Sequence, residues 1–167
     1  MRYFSNKYIE NKVVPMNIEL KEVTYDNFEA VIELQLLKHQ EDYLASNVYS
    51  IAQSKFDPEY HPRAIYADNE LVGFLMYNSF DCDVPNQTGI HRFMIDQRYQ
   101  ARGIGRRAME LVLNEIRQTP KLERVTICYH PSNPLAHAFY ASLGFKEVGL
   151  DEDGEMIAAI EIAVPQS

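Results

Sequence analysis

Hydrophobic positions along this chain alternate in some segments and recur with helical spacing in others. Residues 17–24 alternate, with Ile18 and Leu20 between charged neighbours, and predict a first strand. Residues 28–36 and, less regularly, 40–54 predict helices. The elements predicted next are a hairpin of strands 64–67 and 71–78, a strand at 90–95, a helix at 106–118, a strand at 124–129, a helix at 135–142 and an antiparallel pair at 145–148 and 155–162. The order β α α β β β α β α β β predicts a mixed α/β domain.

Composition limits the class of protein. The 167 residues are 46% hydrophobic and 24% charged, which is ordinary for a globular domain. We expect residues 16–167 to form that domain, and residues 1–15 to be an N-terminal extension or the product of an upstream start codon. The extension has no apolar segment typical of a secretory signal, and no run approaches the roughly 18 apolar residues of a membrane span. We therefore expect a cytoplasmic protein with no membrane partner.

Charge and cysteine content restrict the partners. The formal net charge of −8 disfavours nucleic-acid binding, because phosphates are neutralised by basic side chains. It suits a cationic partner better, although many acidic proteins have none. Cys82 and Cys128 are too few for a disulfide framework, and the spacing of Cys128, His130 and His137 does not predict a zinc site. We expect neither a metal nor a nucleic-acid partner.

The segment QARGIG, residues 100–105, lies between a predicted strand and a predicted helix, and we call it the glycine loop. Its two glycines let the backbone curl, so that several N–H groups point into one concavity. Unsatisfied donors and the dipole at a helix N-terminus favour an anion such as a pyrophosphate. Taken alone, the spacing is equally typical of an ordinary tight turn.

The combined pattern resembles the GNAT superfamily of acyl-CoA-dependent N-acyltransferases. The matching motifs are the glycine loop, Asn133 after the next strand, Ala138-Phe139-Tyr140, and Leu143-Gly144-Phe145. The resemblance covers nearly everything from residue 17 onward, and residues 93–100 are most similar to bacterial spermine/spermidine acetyltransferases. It implies a single-domain, mostly antiparallel sheet with helices on both faces. It also implies that parallel strands 90–96 and 124–129 splay apart to hold acyl-CoA.

The resemblance assigns residues to the cosubstrate acetyl-CoA. Backbone amides of the glycine loop would bind the pyrophosphate, and the open strand edge would pair with the pantetheine amides. The residues implied are Gln100, Arg102, Gly103, Ile104, Gly105 and Arg106 at the phosphates, Met94 and Ile95 at the pantetheine, and Asn133 and Tyr140 beside it. The side chain of Arg106 can also reach phosphate oxygens.

The resemblance also assigns the proton transfers. A tyrosine at the position of Tyr140 protonates the departing CoA thiolate in the family, and a phenol with a reference pKa of about 10 keeps its proton at neutral pH. Relatives commonly place a carboxylate base early in the strand before the loop, where this chain has His91 and Arg92. We expect His91 to accept the proton of the amine, with Asp81 and Asp83 as alternatives. A packed tyrosine ring and a surface histidine are the competing structural interpretations.

The first helical region walls the acceptor side in the family, and here it contains Glu41, Asp42 and Tyr43. Carboxylates and aromatic rings suit a polyamine, and Asp81 and Asp83 would add ammonium ligands, although exposed helices and turns commonly contain the same residue types. The sequence therefore predicts acetyl transfer to a primary amine of spermidine or spermine by direct attack. Alternatives are an aminoglycoside, amino acid or protein amine as acceptor, and a non-catalytic acyl-CoA-binding module. Because relatives are often dimers, a homodimer is also an expected state.

Overall fold

The computed structural model describes residues 15–79 and 84–162, which form one seven-stranded sheet with helices on both faces. The strands are β1 Ile18–Glu22, β2 Tyr60–Ala67, β3 Glu70–Asn78, β4 Gln87–Ile95, β5 Arg124–Tyr129, β6 Lys146–Leu150 and β7 Met156–Glu161. The helices are α1 Phe28–Ile32, α2 Asn47–Ser54, α3 Ile104–Ile116 and α4 Ala136–Ser142, with a 3₁₀ helix at Lys38–Tyr43. Their order along the chain confirms the predicted order, apart from the additional 3₁₀ helix.

The sheet has the strand order β1-β2-β3-β4-β5-β7-β6. Its described neighbours pair antiparallel, except that β4 and β5 are parallel. One face is covered by α3, whose Val112 and Ile116 are fully buried. The other face packs Met94 of β4 against Val31 of α1. Burying an aliphatic side chain of this size contributes roughly 1.5–3 kcal/mol, so both faces help to stabilise the sheet. The predicted fold class is confirmed.

The first helical region differs from the prediction, which was wrong in its boundaries. Helix α1 ends at Ile32 instead of 36, because the backbone of Gln35 bonds instead to the end of β4. The Gln35 N–H donates to Asp96 Oδ2 at 3.0 Å, and the Gln35 carbonyl accepts from the N–H of Gln97 at 2.8 Å. The predicted helix at 40–54 is divided, since Ser46 begins α2 by accepting a hydrogen bond from the N–H of Tyr49.

The hairpin of β2 and β3 is confirmed, but its turn is the two residues Asp68 and Asn69 instead of the predicted three, and its first strand is longer. Asp68 and Asn69 have φ of 48° and 70°, as a tight two-residue connection requires. Strand β2 begins at Tyr60 instead of 64 and includes Pro62. Its pairing with β1 starts only at Arg63, so the missing N–H of Pro62 costs no bond in that ladder.

Strands β4 and β5 separate before either of them ends. Their parallel pairing runs from Gln87 to Ile90 on β4, although β4 continues to Ile95. On the opposite edge of β4, Tyr77 of β3 pairs with Ile90, and Met76 pairs with Arg92. His91 is therefore the extra residue of a β-bulge, a feature that bends a strand and increases its twist. The bulge lies where β4 leaves β5, which explains the predicted splay.

Candidate active site

A cavity of about 480 Å³ opens where β4 and β5 diverge. It is bounded by β4, the end of β5, the glycine loop, α3 and α4. It is also bounded by a helical wall, which we define as Leu36, Gln40, Tyr43 and Leu44. The sequence-predicted residues that line it are Tyr43, His91, Met94, Ile95, Gln100, Gly103, Ile104, Gly105, Arg106, Asn133 and Tyr140. The fold thus gathers candidate residues from both halves of the chain.

The glycine loop passes from β4 into α3 through left-handed backbone. Ala101 has φ of 59° and Gly103 has φ of 77°. Gly103 directly precedes α3, and no side chain caps the helix there. The first amides of α3 and its positive dipole end are therefore directed toward the cavity that Ile104 and Gly105 line. A Cβ added to Gly103 would meet no atom within 4 Å, so the left-handed φ and not crowding within the protein favours glycine here.

Asp96 fixes the start of this turn. Its carboxylate is 1% exposed and accepts hydrogen bonds from the Gln35 N–H at 3.0 Å, the Arg98 N–H at 2.9 Å and Arg98 Nε at 2.8 Å. Burial alone would raise the pKa of Asp96, but the hydrogen bonds from Arg98 and Gln35 outweigh it and lower the pKa. Asp96 was not among the residues predicted for the site. The sequence feature that could have indicated it is an acidic residue directly after the last apolar residues of a strand.

Gln100 connects the glycine loop to the helical wall. Its Nε2 donates to the Ile95 carbonyl at 2.9 Å and to Gln40 Oε1 at 2.9 Å. The Gln40 Nε2 returns a bond to Gln100 Oε1 at 3.3 Å. The side chain of Gln100 therefore holds the end of β4 in place, and the residue also lines the cavity.

The two predicted arginines differ in position. Arg106 lines the cavity, and its Nη2 donates to Ser142 Oγ at 2.6 Å, which links α3 to α4. Arg102 is not among the described residues lining the cavity. Its Nη2 donates to the Arg98 carbonyl at 2.9 Å, and its guanidinium lies 5.6 Å from the ring centroid of Tyr99. Its side chain instead contacts Arg98 and Tyr99, which directly precede the glycine loop.

Tyr140 of α4 is 8% exposed and is enclosed by aromatic rings. Its ring stacks with Tyr129 at a centroid distance of 5.4 Å, and meets Phe139 and Phe145 edge-on at 5.1 and 5.8 Å. Burial, with a smaller effect from Tyr129, raises the pKa of Tyr140 above its ordinary value. The phenol is therefore held in its protonated form beside the cavity.

Tyr129 of β5 lines the same cavity but has its hydroxyl engaged. The hydroxyl donates to Glu147 Oε1 at 2.7 Å. Burial and this bond raise the pKa of Tyr129 to about 12. Among the hydrogen bonds found within residues 15–79 and 84–162, none involves the Tyr140 hydroxyl. Of the two stacked tyrosines, Tyr140 is therefore the better placed to donate a proton to a ligand.

His91 lies at the bulge and lines the cavity with its neighbour Arg92. The His91 ring meets the ring of Tyr60 edge-on at 5.1 Å. Arg92 extends to α2, where its Nε donates to Ser50 Oγ at 3.1 Å. The bulge thus brings an imidazole and a guanidinium to the part of β4 nearest the divergence of the strands.

The residues predicted to bind the acceptor amine do not all line the same cavity. Tyr43 lines the cavity, and its hydroxyl donates to the Ser132 carbonyl at 3.4 Å. Glu41 lines a second cavity of about 500 Å³, which shares Leu36, Leu44 and Met94 with the first. Asp42 is exposed and lines neither cavity as described. The predicted Asp81 and Asp83 lie outside the described residues, as do residues 1–14 of the predicted extension.

Asn133 lies in the loop between β5 and α4. Its N–H donates to the His130 carbonyl at 2.9 Å, and its Oδ1 accepts from the Leu135 N–H at 3.2 Å. The side-chain carbonyl therefore supports the turn, while the residue also lines the cavity.

No group of three or more His, Cys, Asp or Glu side chains within residues 15–79 and 84–162 is arranged to hold a metal ion. No helix in this part of the chain has the length and apolar character needed to cross a membrane.

The amino-acid sequence is similar to those of two curated acetyltransferases. The chain is 32% identical over 152 residues to a spermine/spermidine N(1)-acetyltransferase of Bacillus subtilis, covering 88% of this chain and all of that protein. A second Bacillus subtilis relative, described as a probable spermine N(1)-acetyltransferase, is 31% identical over the same shares of both chains.

Solved structures share the fold. The PaiA N-acetyltransferase of Thermoplasma acidophilum, solved with coenzyme A, has a TM-score of 0.67 at 18% identity, covering 88% of this chain and all of that one. The spermidine N-acetyltransferase of Vibrio cholerae, solved with CoA and spermine, has a TM-score of 0.69 at 15% identity, covering 86% and 95%. Residues 28–145 match the Acetyltransferase (GNAT) family, so the chain is a GNAT-type acetyltransferase and belongs to that family.

Proposed function

We propose that this protein transfers the acetyl group of acetyl-CoA to a primary amine of a small polyamine, with spermidine or spermine as the first candidates. The observation that carries the proposal is the cavity between β4 and β5. It combines uncapped amides of α3, a strand edge beyond the last β4–β5 pair, and the protonated phenol of Tyr140. These groups match the anionic, amide-bearing and thioester parts of one ligand.

The residues present fit acetyl-CoA on physical grounds. The amides at Gly103–Arg106 offer donors at a helix N-terminus, which favours a pyrophosphate. Met94 and Ile95 lie on the part of β4 that no longer pairs with β5. The Asp96 N–H bonds to Val72 of β3, and successive residues of a strand bond to alternate sides, so the backbone of Met94 faces β3. The backbone of Ile95 therefore faces the open edge, where its N–H can bond to a pantetheine amide. Asn133 lines the same cavity near α4. When bound, acetyl-CoA supplies an activated acetyl group as a thioester.

The proposed chemistry is direct transfer. The amine nitrogen forms a bond to the acetyl carbon, the carbon–sulfur bond breaks, and the Tyr140 hydroxyl donates its proton to the sulfur. A general acid must hold a proton at working pH and lie within hydrogen-bond reach of the atom that it protonates. The raised pKa of Tyr140 meets the first requirement, and its position in the cavity lining supports the second.

His91 is the proposed acceptor of the amine proton. It lies on the bulge of the strand that bounds the cavity, and a neutral imidazole accepts a proton near physiological pH. Asp81 and Asp83 remain the alternative bases, acting directly or through water.

Support for a polyamine comes from three directions. The curated relative at 32% identity is described as acting on spermine and spermidine, and the Vibrio cholerae structure contains spermine. The net charge of −8 favours the approach of a polycation. Tyr43 offers an aromatic face at the cavity, and Glu41 on the same 3₁₀ helix places a carboxylate at the adjoining cavity.

A second acceptor class is favoured by a specific observation. The described lining of the main cavity contains Arg92 and Arg106 but no carboxylate. A guanidinium beside the reacting centre suits an amine that also bears a carboxylate, such as an amino acid or a peptide terminus. The fold does not choose between these acceptors, because one fold hosts many specificities.

An acceptor screen tests the proposal. The purified protein is incubated with acetyl-CoA and one amine at a time, and release of the free CoA thiol is followed. We expect the largest kcat/KM with spermidine or spermine, and little thiol release without an amine. Turnover of amino acids or peptides with none of polyamines would reject the polyamine assignment in favour of the second class. Thermal stabilisation by CoA with no thiol release for any amine would reject catalysis under these conditions.

A further inference from the structure

One carboxylate oxygen connects three elements beside the proposed acid. Glu147 Oε1, on β6, accepts the hydroxyl of Tyr129 on β5 at 2.7 Å. The same oxygen lies 2.7 Å from Nδ1 of His137 on α4. These two bonds lower the pKa of Glu147, the Tyr129 bond being the larger cause. Glu147 therefore joins the sheet to α4 at a single point.

The two partners of Glu147 are connected to Tyr140 in different ways, one through ring stacking and the other through helix α4. The Tyr129 ring stacks on the Tyr140 ring with an angle of 25° between their planes. His137 precedes Tyr140 by three residues, so both lie on neighbouring turns of one side of α4. Of the three rings around Tyr140, Tyr129 alone has a polar group that can be anchored by a hydrogen bond.

We propose that Glu147 is a positioning residue for the acetyl transfer. Its carboxylate holds the Tyr129 ring against one face of the Tyr140 ring and fixes the position of α4 relative to the sheet. The Tyr140 hydroxyl is thereby directed into the cavity. Glu147 does not line the described cavity and does not touch the reacting groups. The inference rests on the proposed role of Tyr140 as proton donor and explains what aligns that donor.

The same bonds make the two tyrosines unequal. The Tyr129 hydroxyl donates its proton to Glu147, so that proton is committed to the anchoring bond. The phenol of Tyr140 has only its ring contacts among the described residues, and its proton is available to a ligand. Glu147 thus directs proton transfer to one of two neighbouring phenols.

A positioning role predicts an effect on rate that exceeds the effect on folding. The His137 and Glu147 side chains are 66% and 38% exposed, and exposed ion pairs contribute little to stability. Misplacement of a catalytic group by a fraction of an ångström, in contrast, lowers turnover strongly. Loss of the carboxylate should therefore lower kcat while the melting temperature and acetyl-CoA affinity change little.

The first measurement compares Glu147→Ala with two related variants. We expect Glu147→Ala to lower kcat by roughly tenfold, with the dissociation constant of acetyl-CoA unchanged. Glu147→Gln should recover much of the loss, because the amide oxygen can still accept both bonds. Glu152→Ala removes an exposed carboxylate from the turn between β6 and β7 and should have no effect. Unchanged kcat in Glu147→Ala, or equal losses of kcat, affinity and melting temperature, would overturn the proposal.

The second measurement is a double-mutant cycle with Tyr140→Phe. If Glu147 acts through the Tyr140 hydroxyl, Glu147→Ala should not lower kcat further once that hydroxyl is gone. The same fractional loss of kcat in both backgrounds would mean that Glu147 acts by another route, and the proposal would fail. Near-normal turnover of Tyr140→Phe alone would instead refute the proton-donor role, and with it the inference. The two failures are therefore distinguishable.

Discussion

The glycine loop and the helical wall face the same cavity, but the chain builds them by different means. The loop is continuous in sequence and depends on backbone geometry, with Ala101 and Gly103 in left-handed conformations. The helical wall depends on side chains, of Gln40 and Tyr43 in a short 3₁₀ helix that has no buried residue and of Leu36 and Leu44 on either side of it. A site formed by backbone groups requires glycine at a few positions of the sequence. A site formed by exposed side chains can change its residues without changing the fold. The difference separates the proposed cosubstrate side from the proposed acceptor side.

The largest effect is expected at Tyr140, on the side shared with the loop. Tyr140→Phe keeps the ring among its aromatic neighbours and removes the donated proton, so kcat should fall by about 100-fold. Acetyl-CoA affinity should stay constant, because the hydroxyl acts on charge that develops only as the thioester breaks. Stopped assays of thiol release with calorimetric titration measure both. Tyr49→Phe, at an exposed position of α2, is the matched control. Loss of affinity alone would make Tyr140 a binding residue.

The next effect concerns the support of the loop. Asp96→Asn puts an amide donor against the donors of Gln35 or Arg98, and should cost about 2 kcal/mol of unfolding free energy. Because the pKa of Asp96 is lowered in the folded state, its contribution is present above the unfolded carboxyl value near 3.9. It is lost as pH falls through the lower, folded value.

Urea unfolding at several pH values checks this prediction. The difference in unfolding free energy between wild type and Asp96→Asn should shrink as pH falls below about 4. Asp26→Asn, at an exposed position, should show no such difference. A difference that stays constant through the acidic range would exclude the ionised carboxylate as its source.

A pair of glycine substitutions separates backbone strain from ligand crowding. Gly103 and Gly154 have φ of 77° and 81°, and a Cβ at either position meets no protein atom within 4 Å. Valine at each should therefore cost a similar amount of stability, about 1–3 kcal/mol. Only Gly103→Val should weaken acetyl-CoA binding, by roughly tenfold, because it crowds the amides at the start of α3. Equal affinity in both variants, measured by calorimetry, would remove the loop from the binding site.

The smallest effect is expected on the acceptor side. Glu41→Gln should raise the KM for spermidine by about threefold, since an exposed carboxylate contributes little to binding an ammonium group. The neighbouring Asp42→Asn serves as the control, because Asp42 lines neither described cavity. The kcat for both variants should match wild type in steady-state assays. A change as large as that expected at Tyr140 would break the contrast between the two sides.

The sequence was sufficient for the parts of the molecule that depend on local pattern. Periodicity predicted the order of strands and helices, and the glycine spacing together with the family resemblance predicted the glycine loop, the splayed strands and Tyr140. The bulge at His91 was not predicted, because a single extra residue in β4 leaves the alternation of a short strand nearly unchanged. The first helical region was wrong in its boundaries, because Asp96 draws Gln35 out of a helix by a contact far away in sequence.

Side-chain contacts between distant segments were also beyond the sequence. Glu147 joins Tyr129 and His137 only after β5, α4 and β6 have been assembled. None of the three has a distinctive spacing, and each alone resembles an ordinary surface or strand residue. Glu41 and Tyr43 were predicted together from the family resemblance of the first helical region, but they line different cavities.

The hydrogen bonds between Asp96 and Gln35 and between Gln100 and Gln40 have a thermodynamic consequence. They join the loop to the residues before and within the helical wall, so neither side can shift without straining the other. Where binding at one of two joined sites shifts the other, the change in affinity is equal in both directions. We therefore expect occupancy of the loop by the proposed cosubstrate to alter acceptor affinity, and the acceptor to alter cosubstrate affinity by the same factor.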